Sequence, residues 1–297
     1  MKTDGTDGPV RRKDPVDVLG VELDPVTAPE LLVELREAIE RGERHQVVTV
    51  TTEMIVSARH RTGHRTLING AGWRIPDTIG VAWGAHFLHA PLRGPFKTPR
   101  VYLRAVRTGI WAFVRPRSVK RTLPDVVPGS DFSVDLAGMC EEFEYGLYLL
   151  GGAPGVAEAA AAELKRRFPE LTVTADGADP EKRFESDIRR RIKRAKPAVL
   201  LVAYGAPAQE AWIKRNLAKL PKPLIAVGVG GTLDYLGGGR SLTGGGEVAK
   251  RPPRAIRKQG LEWLWRLFTQ PSRWRRIVTA LPAFVWAVVQ AKKDSTK

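Results

Sequence analysis

One aspartate stands where a carboxylate could act in catalysis. Asp77 follows a short apolar run and a proline, and it precedes a helix-like stretch that contains Val81, Trp83 and Phe87. A carboxylate at the end of a buried strand faces the cleft of an α/β fold, where it could accept a proton from a substrate hydroxyl as a general base. It could instead cap the first turn of the following helix. The sequence allows both roles.

Two glycine-containing loops indicate a site for a phosphate-bearing ligand. Residues 204–210 (YGAPAQE) follow the apolar run 199–203, and residues 228–234 (GVGGTLD) follow the apolar run 224–227. Glycine lets backbone approach a phosphate, and the helix that opens at Gln209 has free N–H groups in its first turn. Because both loops follow strands of a parallel sheet, we expect them to line one crevice. Two ordinary strand-to-helix turns are the alternative.

The elements that must position these residues alternate between short strands and helices. Strands are predicted at 16–21, 47–50, 72–75, 147–150, 171–174, 199–203 and 224–227, and helices at 29–41, 54–60, 156–168, 186–195 and 209–220. This order predicts an α/β fold with a parallel, Rossmann-like sheet. Ser130 or Asp131 is expected to cap another helix. The loop 151–155 (GGAPG) is not a dinucleotide fingerprint, and the chain has no Walker A sequence.

The positive charge is concentrated in two segments. The chain has a net charge of +16, while residues 93–121 hold nine Lys/Arg and no acidic residue and residues 250–297 carry +10. The rest of the chain is therefore slightly acidic. Such concentration indicates a polyanionic partner, which could be nucleic acid, anionic lipid or a phosphorylated substrate. The single Cys140 excludes an internal disulfide framework and suits a reducing compartment.

The C-terminal segment is typical of a helical, membrane-associating appendage. Leu261, Leu264, Trp265 and Phe268 recur at helical spacing, and residues 277–291 are uncharged and apolar. A membrane-spanning helix needs about 20 apolar residues, so this shorter run is expected to lie in the membrane interface or against a partner. The predicted organisation is a disordered leader at 1–14, an α/β core at 15–247 with a basic insertion at 89–125, and a basic amphipathic appendage at 248–297.

Several sequence blocks occur in an order that points to one family. They include 76–80 (PDTIG), 129–131 (GSD), 205–210 (GAPAQE) and 261–267 (LEWLWRL), of which the last two are the most specific. Together the blocks resemble the WecG/TagA/CpsF glycosyltransferases (glycosyltransferase family 26) over about residues 16–276. The resemblance implies an inverting, metal-independent transfer of a sugar from a UDP-sugar to a sugar on a polyprenyl diphosphate. For members like the teichoic-acid enzyme it implies N-acetylmannosamine as the sugar transferred and N-acetylglucosamine-diphospho-undecaprenol as the acceptor.

The resemblance also assigns roles to individual residues. It makes Asp77 the base, and it places Thr49 and Gln209 in the active-site pocket. The substrate-binding positions that it implies are Thr51, Gly151, Gly152, Gly205 and Asp234, together with Arg251, Arg254, Arg266 and Arg273 of a tail that closes over the site and contacts the membrane. No Asp-x-Asp sequence occurs, so cationic side chains and backbone N–H groups would stabilise the leaving UDP, and no metal or other cofactor is expected.

Three positions depart from the family's usual residues. Thr51 stands where the family usually has Asn, and Thr78 stands where it usually has Gly after the aspartate. Val126 replaces an arginine whose proposed role is to hold the acceptor phosphate. The basic residues of 93–121 could supply a substitute for that arginine.

Two other classes of function agree with parts of the sequence. A nucleic-acid-binding protein could use the basic tail, although the apolar run 277–291 suits lipid better than a phosphate groove. A nucleotide-binding oxidoreductase is disfavoured by the missing fingerprint. The favoured partners are a UDP-sugar, a polyprenyl-diphosphate-linked acceptor and an anionic membrane surface, without nucleic acid. The predicted location is peripheral on the inner face of the cell membrane, and a homo-oligomer is left open.

Overall fold

A parallel sheet forms the centre of the computed structural model, which describes residues 13–91, 102–109, 122–237 and 274–295, with side chains from residue 280 in the last range. Its strands are β3 (Arg44–Val50), β4 (Trp73–Pro76), β5 (Leu147–Gly151), β6 (Val173–Asp176), β7 (Val199–Ala203) and β8 (Leu224–Gly228). They lie in the order β4-β3-β8-β7-β5-β6, and every neighbouring pair is parallel. The predicted α/β fold with a Rossmann-like parallel sheet is confirmed. A separate antiparallel hairpin consists of β1 (Val16–Val18) and β2 (Val21–Leu23).

Helices flank the sheet on both faces. They are α1 (Ala28–Glu40), α2 (Thr52–His60), α3 (Thr62–Asn69), α4 (Ile79–His89), α5 (102–109), α6 (Gly129–Glu142), α7 (Val156–Arg167), α8 (Glu185–Ala195), α9 (Ala208–Asn216), α10 (Thr232–Leu236) and α11 (Trp274–Asp294). Short 3₁₀ turns precede α8 and follow α9, at Lys182–Phe184 and Leu217–Lys219.

Alternation along the strands sends successive side chains to opposite faces of the sheet. Leu201 of β7 joins the core beneath α1, α6, α7 and α10, whereas its neighbour Val202 packs towards α8 and α9. On β3, Val48 and Val50 face a third cluster built from α2, α3, α4 and α11. The strands are apolar on both faces because helices cover both, which is why the sequence shows continuous apolar runs.

Two local predictions were wrong. The predicted strand at 16–21 is interrupted by a turn, where Leu19 and Gly20 have positive φ angles of 58° and 86°, so it forms the first half of a hairpin. The predicted cap of α6 by Ser130 or Asp131 does not form, because α6 begins at Gly129 with Pro128 in the cap position. Both differences arise at turns, where backbone geometry rather than side-chain periodicity sets the boundary.

The apolar C-terminal helix α11 packs in a groove between α2 and α4. The ring of Phe284 is fully buried and lies against Gly84 of α4, where a Cβ atom would come within 2.6 Å of the ring. The Lys292 ammonium donates to the carbonyl of Leu88 at the end of α4, at 2.5 Å. One face of the predicted interfacial helix therefore completes the core of its own chain, because glycine in α4 leaves room for an aromatic ring.

The opposite face of α11 remains open. Pro282, Ala283 and Trp286 are exposed there, and Trp286 exposes 60% of its surface. Over the residues that the structure describes, no helix combines the length and apolarity needed to cross a bilayer.

Candidate active site

A cavity of about 650 Å³ lies at the carboxyl ends of β3, β4 and β8. Its walls come from the end of β3, from α2, from the residue after β4 and from the first turns of α6, α9 and α10. Ala280 of α11 also contributes to the wall. The cavity thus occupies the position that the strand-and-loop pattern predicts for a ligand in a parallel α/β sheet.

Asp77 reaches across the cavity floor to the start of α6. Its Oδ1 accepts a hydrogen bond of 2.6 Å from the backbone N–H of Gly129, the first residue of that helix. A Cβ atom added at Gly129 would lie 3.4 Å from Asp77 Oδ1, 3.6 Å from Thr49 Oγ1 and 3.7 Å from Thr232 Oγ1. Three oxygen atoms from three separate elements therefore converge around one glycine.

The capping role that the sequence allowed for Asp77 applies to a different helix. The residue in the cap position of α4 is Thr78, whereas the Asp77 carboxylate binds α6, which begins 52 residues later in the chain. A carboxylate next to the N-terminus of α6 is stabilised in its charged form by the helix dipole. The hydrogen bond from Gly129 therefore holds the Asp77 carboxylate at the cavity wall.

Gln209 fastens the loop that follows β8. Its Oε1 accepts from the backbone N–H of Gly230 at 2.9 Å, and its Nε2 donates to Oε1 of Glu210 at 2.8 Å. A Cβ atom at Gly228 would come within 2.6 Å of Gln209 Nε2, so the amide lies directly on the strand end. Both ends of the Gln209 amide are thus engaged, which fixes its orientation.

Glu210 lies behind Gln209 rather than in the cavity wall, and sequence reasoning did not single it out. The side chain is fully buried, and burial raises the pKa of its carboxyl group. Its Oε2 has no hydrogen-bond partner among the described residues. Burial disfavours the charged form of this carboxyl group, because a charge without a partner is costly in a low-dielectric interior. The sequence shows an acid beside Gln209, but only the tertiary structure shows that it is enclosed.

The sequence analysis also did not predict that α2 and the start of α3 form a wall of the cavity. Ser57, His60, Arg61 and His64 line it, and they form part of the segment 57–64 (SARHRTGH). His64 Nδ1 lies 3.0 Å from Ser57 Oγ, and burial together with the nearby Arg61 lowers the pKa of the imidazole. The sequence does contain a signal for this wall, namely two histidines and an arginine within five residues. Their spacing places them near one another at the junction of two helices.

Two more of the predicted substrate-binding residues line the cavity. The Thr51 hydroxyl caps α2 by accepting from the N–H of Met54 at 3.3 Å, and Gly205 lies in the loop after β7. Thr49 sits deeper, with its hydroxyl donating to the Gly228 carbonyl at 3.2 Å. The structure therefore gathers Thr49, Thr51, Asp77, Gly205 and Gln209 around one cavity.

Three other predicted substrate-binding positions, Gly151, Gly152 and Asp234, do not line this cavity. Gly151 ends β5 and Gly152 follows it, with φ angles of 92° and 89°, and the ring of Tyr204 lies where a Gly151 side chain would be. Asp234 is on α10, whose first residue Thr232 does line the cavity. The predicted tail positions Arg251, Arg254, Arg266 and Arg273 lie outside the described residues. In the described ranges, no three His, Cys, Asp or Glu side chains form a group that could hold a metal ion.

A parallel sheet with a polar cavity and glycine loops at its carboxyl edge is typical of ligand-binding α/β proteins, many of them enzymes. The chain belongs to the glycosyl transferase WecG/TagA/CpsF family, whose sequence model matches residues 16–106 and 104–297, and it is a glycosyltransferase. The family resemblance is thereby confirmed.

Two relatives are similar over most of their length. An N-acetylglucosaminyldiphosphoundecaprenol N-acetyl-beta-D-mannosaminyltransferase of Staphylococcus aureus (strain NCTC 8325 / PS 47) is 25% identical over 286 residues, which is 95% of each chain. A protein of the same name from Bacillus spizizenii (strain ATCC 23059 / NRRL B-14472 / W23) is 24% identical over 251 residues, or 84% of this chain and 81% of the relative.

Proposed function

We propose that the protein transfers N-acetylmannosamine or a related hexose from a UDP-sugar to a sugar carried on a polyprenyl diphosphate. The names of both relatives specify a mannosaminyl group transferred to an acceptor linked to undecaprenol through a diphosphate. The observation that carries the proposal is the position of Asp77, whose carboxylate lies in the cavity wall beside Thr49 and Thr232. The pathway is the synthesis of a cell-surface polymer such as teichoic acid.

The proposed reaction is a single displacement. The acceptor hydroxyl loses its proton to Asp77 as its oxygen bonds to the anomeric carbon of the donor, and the bond from that carbon to the UDP oxygen breaks on the opposite face. One displacement inverts the anomeric configuration. Gln209 holds the loop after β8 against the reacting sugars, and Thr49 shapes the floor beside the base. The proton transfer to a positioned carboxylate contributes roughly 10²- to 10⁴-fold to the rate.

The proposed mechanism needs positive charge where UDP leaves. Gly151 and Gly152 present backbone at the end of β5, and the tail arginines Arg251, Arg254, Arg266 and Arg273 supply cations in the proposal. Such groups stabilise charge that develops on a leaving diphosphate, and they act most strongly where water is excluded. We propose that they replace the metal ion that other nucleotide-sugar enzymes use.

We also propose that the protein rests on the inner, anionic face of the cell membrane through a surface formed by α5 and α11. This α5–α11 surface consists of Tyr102, Leu103, Val106 and Trp286, which are exposed large apolar side chains. The Tyr102 hydroxyl accepts from Gln290 of α11 at 3.5 Å, which brings the two helices together. Apolar side chains beside Lys and Arg residues favour an anionic lipid surface.

An oxidoreductase function finds less support at the sheet edge. Asp176 ends β6, where a dinucleotide-binding fold places the acid that binds the ribose. Here the Asp176 carboxylate accepts from the Tyr148 hydroxyl at 2.7 Å and from Arg191 at 2.8 Å. These internal hydrogen bonds engage the carboxylate that would otherwise bind a ribose.

The test is a transfer assay on the full chain. The donors are UDP-N-acetylmannosamine and other UDP-hexoses, and the acceptor is N-acetylglucosamine linked through a diphosphate to a short lipid. We expect a product with inverted anomeric configuration by NMR and the same rate in EDTA. Absence of transfer from every donor would overturn the proposed activity. A retained configuration would overturn the single displacement, and a rate lost to EDTA and restored by Mn²⁺ or Mg²⁺ would overturn metal independence.

A further inference from the structure

The side chains that line the cavity change from acidic to basic along α2. At the N-terminal end of the helix, Glu53 lines the cavity near the Asp77 side, and at the C-terminal end His60 and Arg61 line it. Eight residues separate Glu53 from Arg61, which corresponds to about 12 Å along a helix. The cavity therefore runs from an acidic, hydroxyl-rich end to an end that bears basic side chains.

The basic end is not occupied by internal ion pairs. Among the described residues, no carboxylate pairs with the Arg61 guanidinium, and the His60 ring has no hydrogen-bond partner, while both side chains are exposed. The C-terminus of α2 and the N-terminus of α3 meet at Arg61, so their opposite dipoles largely offset each other. The side chains themselves therefore decide which charge this end of the cavity attracts.

A buried histidine and a half-buried serine support the same wall. His64 is only 5% exposed, its Nδ1 contacts Ser57 Oγ at 3.0 Å, and its Nε2 has no partner in the described part of the chain. In this arrangement His64 orients the Ser57 hydroxyl, which lines the cavity beside Arg61.

We infer that the end of the cavity formed by Ser57, His60 and Arg61 binds a diphosphate group while a sugar lies at the Asp77 end. The inference rests on the proposed function and adds to it the position of one substrate's charged group. Arg61 supplies a permanently charged, fork-shaped donor, and His60 and Ser57 supply further donors for phosphate oxygens. The acidic end of the cavity repels the same group, so the polarity of the wall fixes the direction in which a glycosyl diphosphate enters.

Both proposed substrates, the UDP-sugar and the polyprenyl-diphosphate-linked acceptor, contain a diphosphate. The experiment determines which of the two binds at this end of the cavity. Arg61→Ala and Ser57→Ala are compared with Arg59→Ala, which removes an exposed arginine of the same helix that does not line the cavity. Steady-state rates are measured with each substrate varied in turn, and calorimetric titrations use UDP and inorganic pyrophosphate. Thermal unfolding of each variant verifies that it is folded.

For Arg61→Ala we expect a rise of roughly ten- to hundredfold in one KM, with kcat changed far less, because a hydrogen bond to a charged group is lost. A raised acceptor KM with unchanged UDP affinity assigns the site to the acceptor, whereas a raised donor KM with weakened UDP binding assigns it to the donor. Ser57→Ala should raise the same KM by a smaller factor. The inference is overturned if Arg61→Ala matches Arg59→Ala in both KM values and in pyrophosphate binding.

The pyrophosphate titration keeps this result separate from the proposed function. If the full chain transfers no sugar but Arg61→Ala still weakens pyrophosphate binding relative to Arg59→Ala, the diphosphate site stands and the proposed reaction fails. If sugar is transferred and Arg61→Ala changes neither binding nor KM, the reaction stands and the site fails.

Discussion

Asp77 combines a structural contact with a proposed chemical role, and one substitution can separate them. In Asp77→Asn the amide oxygen can still accept from the N–H of Gly129, but the side chain can no longer take up a proton at neutral pH. We expect turnover to fall by about 10²- to 10⁴-fold while the melting temperature changes little. Asp77→Ala is the control, because it also removes the hydrogen bond and should cost about 1 kcal/mol of stability. A nearly normal rate for Asp77→Asn would leave Asp77 with the structural role alone.

Substitutions of Glu210 test whether its hydrogen bond with Gln209 supports activity. Glu210 Oε1 accepts from the Gln209 amide, and burial raises the pKa of the Glu210 carboxyl group, so the uncharged amide of Glu210→Gln should keep that contact and most of the activity. Glu210→Ala frees the amide of Gln209 and leaves a void, so we expect activity per folded molecule to fall and the unfolding free energy to drop by about 2–4 kcal/mol. Loss of activity in Glu210→Gln would show instead that Glu210 exchanges a proton during the reaction.

The raised pKa of Glu210 also predicts how stability depends on pH. A carboxyl whose pKa is raised in the folded protein stabilises the fold fully below its ordinary pKa, and this contribution is lost as the pH rises through the folded-state value. Glu210→Gln removes this titration. The free energy of unfolding of Glu210→Gln, taken relative to that of wild type, should therefore increase as the pH rises from about 4 to 8. Urea unfolding measures both proteins. A stability difference that does not change with pH would contradict the raised pKa of Glu210.

At the scale of the elements, α11 is held by the close approach of Phe284 to Gly84. A methyl group at Gly84 would lie 2.6 Å from the Phe284 ring, so Gly84→Ala should destabilise the protein by about 1–3 kcal/mol despite the higher helix propensity of alanine. Gly63→Ala on α3 is the matched control, since nothing lies within 4 Å of that position. We expect the control to be neutral or stabilising by up to about 1 kcal/mol.

The pairing between these two positions can be tested by a double-mutant cycle. In a Phe284→Leu background the shorter side chain leaves room for the methyl group, so Gly84→Ala should cost less than it does in wild type, by about 0.5–3 kcal/mol. Chemical denaturation measures all four proteins. Simple additivity of the two changes would mean that α11 does not pack on α4 in solution.

This packing also bears on truncation of the tail. The sequence predicts a core that ends near residue 247, but Phe284 and Val288 are fully buried against α2 and α4. Removing the whole segment after residue 247 would uncover that apolar groove, so point substitutions are the better probe of the tail's role. The predicted domain boundary itself falls within 238–273, outside the described residues.

At the scale of the whole molecule, the α5–α11 surface makes a prediction about membrane binding. Leu103 and Val106 expose 70% and 62% of their surface, and we expect Leu103→Glu/Val106→Glu to weaken binding to anionic vesicles by roughly tenfold or more. Val33→Glu on α1 is the control, because Val33 is 50% exposed in a different part of the fold. Co-sedimentation with vesicles measures binding, and raised salt should weaken it further.

A second readout distinguishes docking from catalysis. Transfer to a soluble acceptor with a short lipid should be unchanged in Leu103→Glu/Val106→Glu, since neither residue lines the cavity. Equal vesicle binding by this variant and by Val33→Glu would refute membrane contact through α5 and α11.

The amino-acid sequence was sufficient to predict the family and the type of sheet. Apolar runs of four or five residues between glycine loops and helix patterns specify buried parallel strands, because only a strand covered on both faces is apolar throughout. The blocks around 76–80 and 205–210 brought Asp77, Gln209 and Gly205 to the site, since their place at strand ends is a local property of the chain. These predictions needed no knowledge of which elements touch.

The contacts between distant surfaces could be read only from the folded structure. It placed β3 beside β8, brought Asp77 to the start of α6, enclosed Glu210, and set His64 against Ser57 in a wall of the cavity. It also turned one face of an apolar helix, α11, against α2 and α4. Local periodicity reports that a side chain is buried but not what buries it, because the partner surface comes from distant residues and is chosen by the packing of the whole chain.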